Sequence, residues 1–281
     1  KVNKKDELPL ALFIFRRDLR LFDNTALLAC AKSYKVAPIF IFTPEQLLKN
    51  PFKSSNAVEF MVESLEDLKG QIETEGGKFF TFFGEVEEVL AQLIRENEVK
   101  AVYFNRDYTP YAVARDGKIA ELCKKSGVAC ESFDDVLLME DLSLRTGTGS
   151  VYTVFTPFGN RLAALPKRKV NFESVENWGE LAGLKPLDDF RARLLEQEVF
   201  TENPNLAVRG GRAVGVGLLN RACKELSNYA KSRDVLGKSG TSQLSAHNKF
   251  GTLSVREIYF ALAGAFGAQH DLIKQLYWRD F

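Results

Sequence analysis

A chain of 281 residues with 45% hydrophobic, 27% charged and 11% aromatic side chains is composed like a globular protein with a sizeable core, in one large domain or two ordinary ones. No apolar run approaches the ~20 residues of a membrane-crossing helix, and the charged start from Lys1 to Leu10 lacks a signal-peptide core, so a cytoplasmic or nuclear address without membrane partners is expected. Four scattered cysteines without a C-x-x-C pair, and only two histidines (His247 and His270), argue against a disulfide framework, a metal site or a histidine-based triad.

Leu10 to Phe15 is a continuous apolar run ended by charges, as in a parallel strand covered on both faces. Val36 to Phe42, Phe79 to Phe83, Val99 to Phe104 and Val128 to Phe133 repeat it. Between them, Val58, Met61, Leu65, Leu68 and Ile72 step by three and four along a helix over 55–75, stopped by Gly76-Gly77. Val86, Val89, Leu90, Leu93 and Ile94 give the next helix its buried stripe. The expected fold class is α/β, with strands and helices alternating across 8–133 in a doubly wound parallel sheet. Ligands of such sheets sit beyond the carboxyl ends of the strands, which puts residues 15–24 and 104–116 at the functional edge.

From Asp134 to Asn205 the periodicity fails, and the stretch reads as a connection holding a basic Lys167-Arg-Lys169. Residues 206–281 then read as helical, with one stripe at Leu218, Leu219, Ala222, Leu226 and Tyr229 and another at Val255, Ile258, Tyr259, Leu262 and Phe266. The expected organisation is an α/β domain at 1–133, a linker at 134–205 and the first part of a helical domain at 206–281. The last segment holds 11 Lys+Arg against 5 Asp+Glu within a chain of net charge +1. A phosphate-binding surface and a solvated helical surface both fit that balance.

Three stretches carry candidate chemistry. Three arginines and two aspartates in Arg16-Arg-Asp-Leu-Arg20 and Asp23 suit a salt-bridged turn at the mouth of a cleft, with Asp23 or Asn24 as N-cap. Gly240-Thr-Ser-Gln-Leu-Ser245 precedes a helix and reads either as an N-cap or as an anion site of hydroxyls and free N–H groups. Ser254 and Glu257 have the spacing of a capping box.

Taken in order, these motifs resemble the DNA photolyase/cryptochrome family. Phe15-Arg-Arg-Asp-Leu-Arg20, Tyr103-Phe-Asn-Arg-Asp-Tyr108 with Arg115-Asp116, and Tyr152-Thr-Val-Phe-Thr-Pro-Phe158 are similar to landmarks of its antenna domain and linker. Thr241-Ser-x-Leu-Ser245, Phe250-Gly-x-Leu-Ser-x-Arg256 and Gln275-Leu-Tyr-Trp-Arg-Asp-Phe281 are similar to the first landmarks of its helical flavin domain.

The resemblance implies FAD as cofactor, with Tyr229, Thr241, Ser242, Gln243, Leu244 and Ser245 at its phosphates, and Gln275 and Arg279 reaching it from the last helix. It implies damaged DNA as partner, with Arg233, Trp278 and Asp280 at the strand and the lesion; Asp280 stands where many photolyases carry Glu. It further implies an antenna chromophore, methenyltetrahydrofolate or a deazaflavin, in the antenna-domain cleft. The implied activity is light-driven splitting of pyrimidine dimers by electron transfer from reduced flavin, a lyase reaction needing no catalytic side chain. Two alternatives are a cryptochrome photoreceptor and a non-catalytic antenna or nucleotide-binding module.

The family's helical domain continues beyond the Trp-Arg-Asp/Glu-Phe motif. The expectation is therefore that a missing segment or a separate chain supplies the C-terminal half, and that the 281 residues alone hold FAD weakly. Asn248, where the family is usually apolar, is expected to face solvent or to pair with the backbone.

Overall fold

The computed structural model describes residues 8–139, 144–235, 237 and 239–281; the first seven residues, part of the charged start, lie outside these ranges. The α/β half runs β1 (Leu10–Ile14), α1 (Thr25–Ala31), β2 (Lys35–Phe42), α2 (Pro44–Leu47), α3 (Ser55–Thr74), β3 (Phe80–Phe83), α4 (Val86–Glu96), β4 (Val99–Asn105), α5 (Pro110–Ser126) and β5 (Ala129–Phe133). Side-chain oxygens start most of these helices. Asn24 caps α1, Thr43 caps α2, Ser54 caps α3 and Thr109 caps α5, where Pro110 fits the first turn.

All five strands are parallel, in the order β3-β2-β1-β4-β5. Alternate strand residues feed two apolar layers, as a period of two requires. Phe13, Phe15, Phe40, Phe42 and Tyr103 pack with α1 and α3; Leu12, Ile14, Ile39, Ile41 and Phe104 pack with α4 and α5. Helices thus cover both faces, as the apolar runs predict.

The stretch after β5 does more than connect. Its helices are α6 (Phe155–Ala164) and α7 (Phe190–Glu196). Because β3 pairs with β2 only from Ile39 onward, the first part of β2 is left unpaired on that side. Residues 177–179 fill the gap: Val36 donates to Asn177 O and Gly179 donates to Val36 O, both at 2.8 Å. Val175, Phe190, Leu194 and Phe200 then join the α3 layer.

The remaining elements are α8 (Arg212–Glu225), α9 (Tyr229–Ser232), α10 (Ser245–Phe250), α11 (Val255–Phe266) and α12 (Asp271–Asp280). Leu219, Tyr229, Ile258, Leu272 and Leu276 form a third apolar cluster, which takes in Phe158 and Leu162 of α6. Two local expectations change here. Ser254 does cap α11, but the Glu257 carboxylate pairs in two-pronged fashion with Arg212 at 2.8 and 2.9 Å, so the capping box is only half built. Asn248 is half-buried, and its Oδ1, instead of facing solvent or pairing with the backbone, is buried with no hydrogen bond among the described residues.

Candidate functional site

At the carboxyl ends of β1 and β2 lies a cavity of about 240 Å³. Phe40, Phe42, Val58 and Met61 make its apolar wall, and Arg17, Lys53, Arg115 and Lys249 give it a basic mouth. Arg16 reaches it from the end of β1, its guanidinium lying 4.4 Å above the Phe104 ring and bonded to Asp116 and Asn105 O. Burial, then the neighbouring Arg115, pull the Arg16 pKa below its ordinary value, and Asp116 opposes them. Arg17 pairs with Asp107 at 3.4 Å. The residues expected at the functional edge, 15–24 and 104–116, thus supply the polar wall of an apolar pocket suited to a planar ligand with an anionic end.

Deeper in, the charged turn after β1 closes on itself and on the helical half. Arg256 donates Nε to Asp23 Oδ2 and Nη2 to Asp135 Oδ1, both at 2.8 Å, and Arg20 Nη2 reaches Asp135 Oδ2 at 2.7 Å. Thr25 Oγ1 also donates to Asp135, and Ser254 Oγ donates to Asp23. All four ionised residues are essentially without solvent contact. Burial alone would raise Asp135, but Arg20 and Arg256 outweigh it and hold this carboxylate well below the usual range. Beside them Asp18, taking bonds from Arg16 N and Asn105 Nδ2, is pushed up by burial.

The residues expected at the flavin divide into two groups. Tyr229 is buried on α9, and that helix abuts the hydroxyl-rich turn: Ser232 Oγ donates to Gly240 O at 3.4 Å, and a Cβ added to Gly240 would stand 2.2 Å from Ser232 O. Arg221 clamps the same turn by donating to Thr241 O at 3.0 Å. Gln243 takes a left-handed φ of 57°, Ser242 Oγ accepts from Leu244 N at 3.4 Å, and Leu244 is buried at the start of α10, so Leu244 rather than Ser242 is the N-cap. The Thr241 and Ser245 hydroxyls have no hydrogen-bond partner among the described residues. We expect Gly240→Ala to shift this turn and to lower the unfolding free energy by about 1–3 kcal/mol, the usual cost of overpacking, read from urea unfolding.

The second group sits on α12. Gln275 is exposed, whereas Arg279 donates to Val136 O at 2.6 Å and Asn248 O at 3.4 Å, so its head is held by carbonyl groups. Asp280 turns inward: Oδ2 accepts from Leu138 N at 2.9 Å and Met139 N at 3.3 Å. Burial pushes its pKa up to about 6 against the pull of Arg279. Trp278 is 50% exposed and stacks on Phe155 of α6 at 3.7 Å, and Arg233, also exposed, lies over the Tyr229 ring.

Sequence reasoning treats Phe250-Gly-Thr-Leu-Ser-Val-Arg256 as a helix start and misses the ion pairing of Arg256. It also misses Lys53 and Lys249 at the cavity mouth.

The family model for DNA photolyase matches residues 11–175, from the first strand to the arm docked on the sheet. The chain belongs to the DNA photolyase family. A deoxyribodipyrimidine photo-lyase of Synechococcus sp. is 28% identical over 96% of the chain and 59% of its own length. An uncharacterised 31.6 kDa protein of another Synechococcus strain is 29% identical over 97% of the chain and 99% of its own length. Among solved structures, an archaeal photolyase from Sulfolobus tokodaii, crystallised with two FAD molecules, aligns with a TM-score of 0.79 at 34% identity, over 96% of this chain and 58% of that one. The chain therefore spans somewhat under two thirds of the photo-lyases it matches, and the full length of one shorter relative. Among the described residues no helix is long and apolar enough to cross a membrane.

Proposed function

We propose that the chain carries the antenna domain and the phosphate-binding part of the FAD site of a light-driven pyrimidine-dimer lyase, working with further helical sequence of the kind its longer relatives contain. The carrying observation is the junction of α9 with the 240–245 turn. It joins the helix that carries Tyr229 to a turn whose Thr241 and Ser245 hydroxyls have no hydrogen-bond partner among the described residues, donors of the kind that a pyrophosphate takes. FAD fits this set: Thr241, Ser242 and Ser245 offer hydroxyls, Gln243 and Leu244 offer backbone, and Arg221 holds the turn in shape.

When bound and reduced, the flavin supplies the photoexcited electron that opens a dimer. The chain's own residues bind and orient. Arg233 and Trp278 present a cation and an aromatic face to a DNA strand on a segment rich in Lys and Arg, where phosphate contacts supply much of the affinity. For Asp280 to meet a lesion, base N–H groups must reach its buried Oδ1, which has no hydrogen-bond partner among the described residues while Oδ2 holds the Leu138 and Met139 N–H groups. The cavity at the ends of β1 and β2 takes the antenna chromophore, methenyltetrahydrofolate or a deazaflavin.

The test is light-dependent loss of cyclobutane dimers from irradiated DNA, with the completing helical segment added in cis or in trans. Repair is expected only with that segment, and Thr241→Ala/Ser242→Ala should cut flavin retention at least tenfold, or about 1.4 kcal/mol. Stoichiometric flavin on the 281 residues alone would refute the need for a completing segment. Flavin binding with no repair would favour signalling, and DNA retention without flavin a binding module.

A further inference from the structure

The four cysteines are divided among three apolar clusters. Cys30 packs with α1 in the layer on one face of the sheet, and Cys223 packs against the cluster of the helical half. Cys123 and Cys130 share the layer between the sheet and α5. Cys123 lies in the last turn of α5 and Cys130 is the second residue of β5, so only residues 124–129 separate them.

The turn between these elements brings the two thiols together. Gly127 takes a left-handed φ of 67°, and Val128 N donates to Cys123 O at 2.9 Å, which folds the chain back so that β5 starts beneath the end of α5. Alternation along β5 then decides which way each side chain faces. Phe133 packs with the α1 layer and Cys130 with the α5 layer, so the Cys130 thiol points at the helix that carries Cys123. Cys123 is fully buried, and its interaction with the Cys130 thiol, with burial behind it, pushes its pKa up. The same interaction draws Cys130 down against the effect of burial. Cys130 is half-buried on the last strand of the sheet order, so it is the thiol that a small oxidant meets first.

We propose that Cys123 and Cys130 form a reversible redox pair, which hydrogen peroxide converts to one disulfide joining α5 to β5. Cys130 gives up its proton and its sulfur attacks one peroxide oxygen; the O–O bond breaks, and the hydroxide released takes that proton and leaves as water. The Cys123 sulfur then attacks the sulfenic sulfur of Cys130. The S–S bond forms, the S–O bond breaks, and the hydroxyl leaves with the Cys123 proton as a second water. The two thiols together lose two electrons, and one peroxide gains them. The pair is independent of the flavin and antenna readings. Because β5 runs on to Asp135, the new bond fastens the strand that leads into the buried ion pairs.

The test exposes the folded full chain to hydrogen peroxide, quenches with acid, alkylates the remaining thiols in denaturant and maps them by mass spectrometry. Cys123 and Cys130 should escape alkylation together, in a chain lighter by about 2 Da before alkylation, the two hydrogens lost. Cys30 and Cys223 should stay alkylated, and dithiothreitol should return the pair. Cys123→Ser should stop at the sulfenic acid of Cys130, captured by dimedone, and Cys130→Ala should leave Cys123 unoxidised, which fixes the order of attack. Full alkylation of both cysteines after peroxide that oxidises free glutathione in the same tube overturns the proposal. So does a bridge from either one to Cys30 or Cys223, or a Cys130 that passes to the sulfinic acid while Cys123 stays a thiol.

Discussion

Arg256→Met is expected to lower the unfolding free energy by about 3–5 kcal/mol, the cost of leaving a buried charge without its partner. Arg256 is 1% exposed and gives hydrogen bonds to the side chains and carbonyls of both Asp23 and Asp135. Removing it leaves Asp23 with Ser254 Oγ and Asn171 N but no countercharge among the described residues, and leaves Asp135 to Arg20, Thr25 and, at 3.9 Å, Arg168. Arg256→Lys should recover little, because one ammonium cannot bridge two carboxylates with a planar fork. The partner substitutions decide between charge and packing. In the Arg256→Met background, adding Asp23→Asn should restore part of the loss, since the uncompensated carboxylate is then gone; urea unfolding of the four combinations gives the coupling directly. Additive losses would show that Arg256 acts by packing alone. Asp23 leaves the first strand, Asp135 follows the last, and Arg256 begins α11, so the same variant should also loosen the α/β layer from the helical one.

That node explains where the sequence is legible and where it is not. The strands are readable because each is apolar on both faces, and α3 because its stripe is unbroken over five turns. Asn24 and Ser254 are readable as caps because a cap is a local device. The node is different: Asp23 and Arg256 are 233 residues apart, and nothing in local pattern pairs them or joins them to Arg20 and Asp135. The arm at 177–179 is hidden for a related reason, since the unpaired start of β2 exists only once β3 has paired farther along. At the candidate site, the hydroxyl turn and Tyr229 are legible through the family resemblance, but the inward turn of Asp280 is not. Its partners are backbone N–H groups of Leu138 and Met139, and backbone donors leave no mark on sequence.

Acid should act on this protein through two buried groups whose effects oppose each other. His247 is fully buried, with Nδ1 bonded to Thr252 Oγ1 at 2.7 Å and Nε2 without a partner among the described residues. The groups around it, Phe60, Gly215 and Leu253, carry no charge to steady an imidazolium, and burial pushes its pKa down to about 4. Between that value and an unfolded value of about 6.5 the unfolded chain binds the extra proton, so the contribution of His247 falls as the pH drops through this window. Asp280, at about 6 in the fold against about 3.9 unfolded, runs the other way: there the folded chain binds the proton, and its contribution falls as the pH rises from about 4 to about 6. Relative to the parent chain, His247→Gln should therefore gain stability on going from pH 6 to pH 4.5, and Asp280→Asn should lose it, each by about 1–2 kcal/mol. Urea midpoints at the two pH values read this difference of differences, which is insensitive to the fixed cost of either substitution. If both variants shift in the same direction, the titrating groups are not these two. If only Asp280→Asn stays level with the parent chain, its carboxylate exchanges with solvent freely enough to be available at the DNA face, which is the behaviour a lesion contact requires.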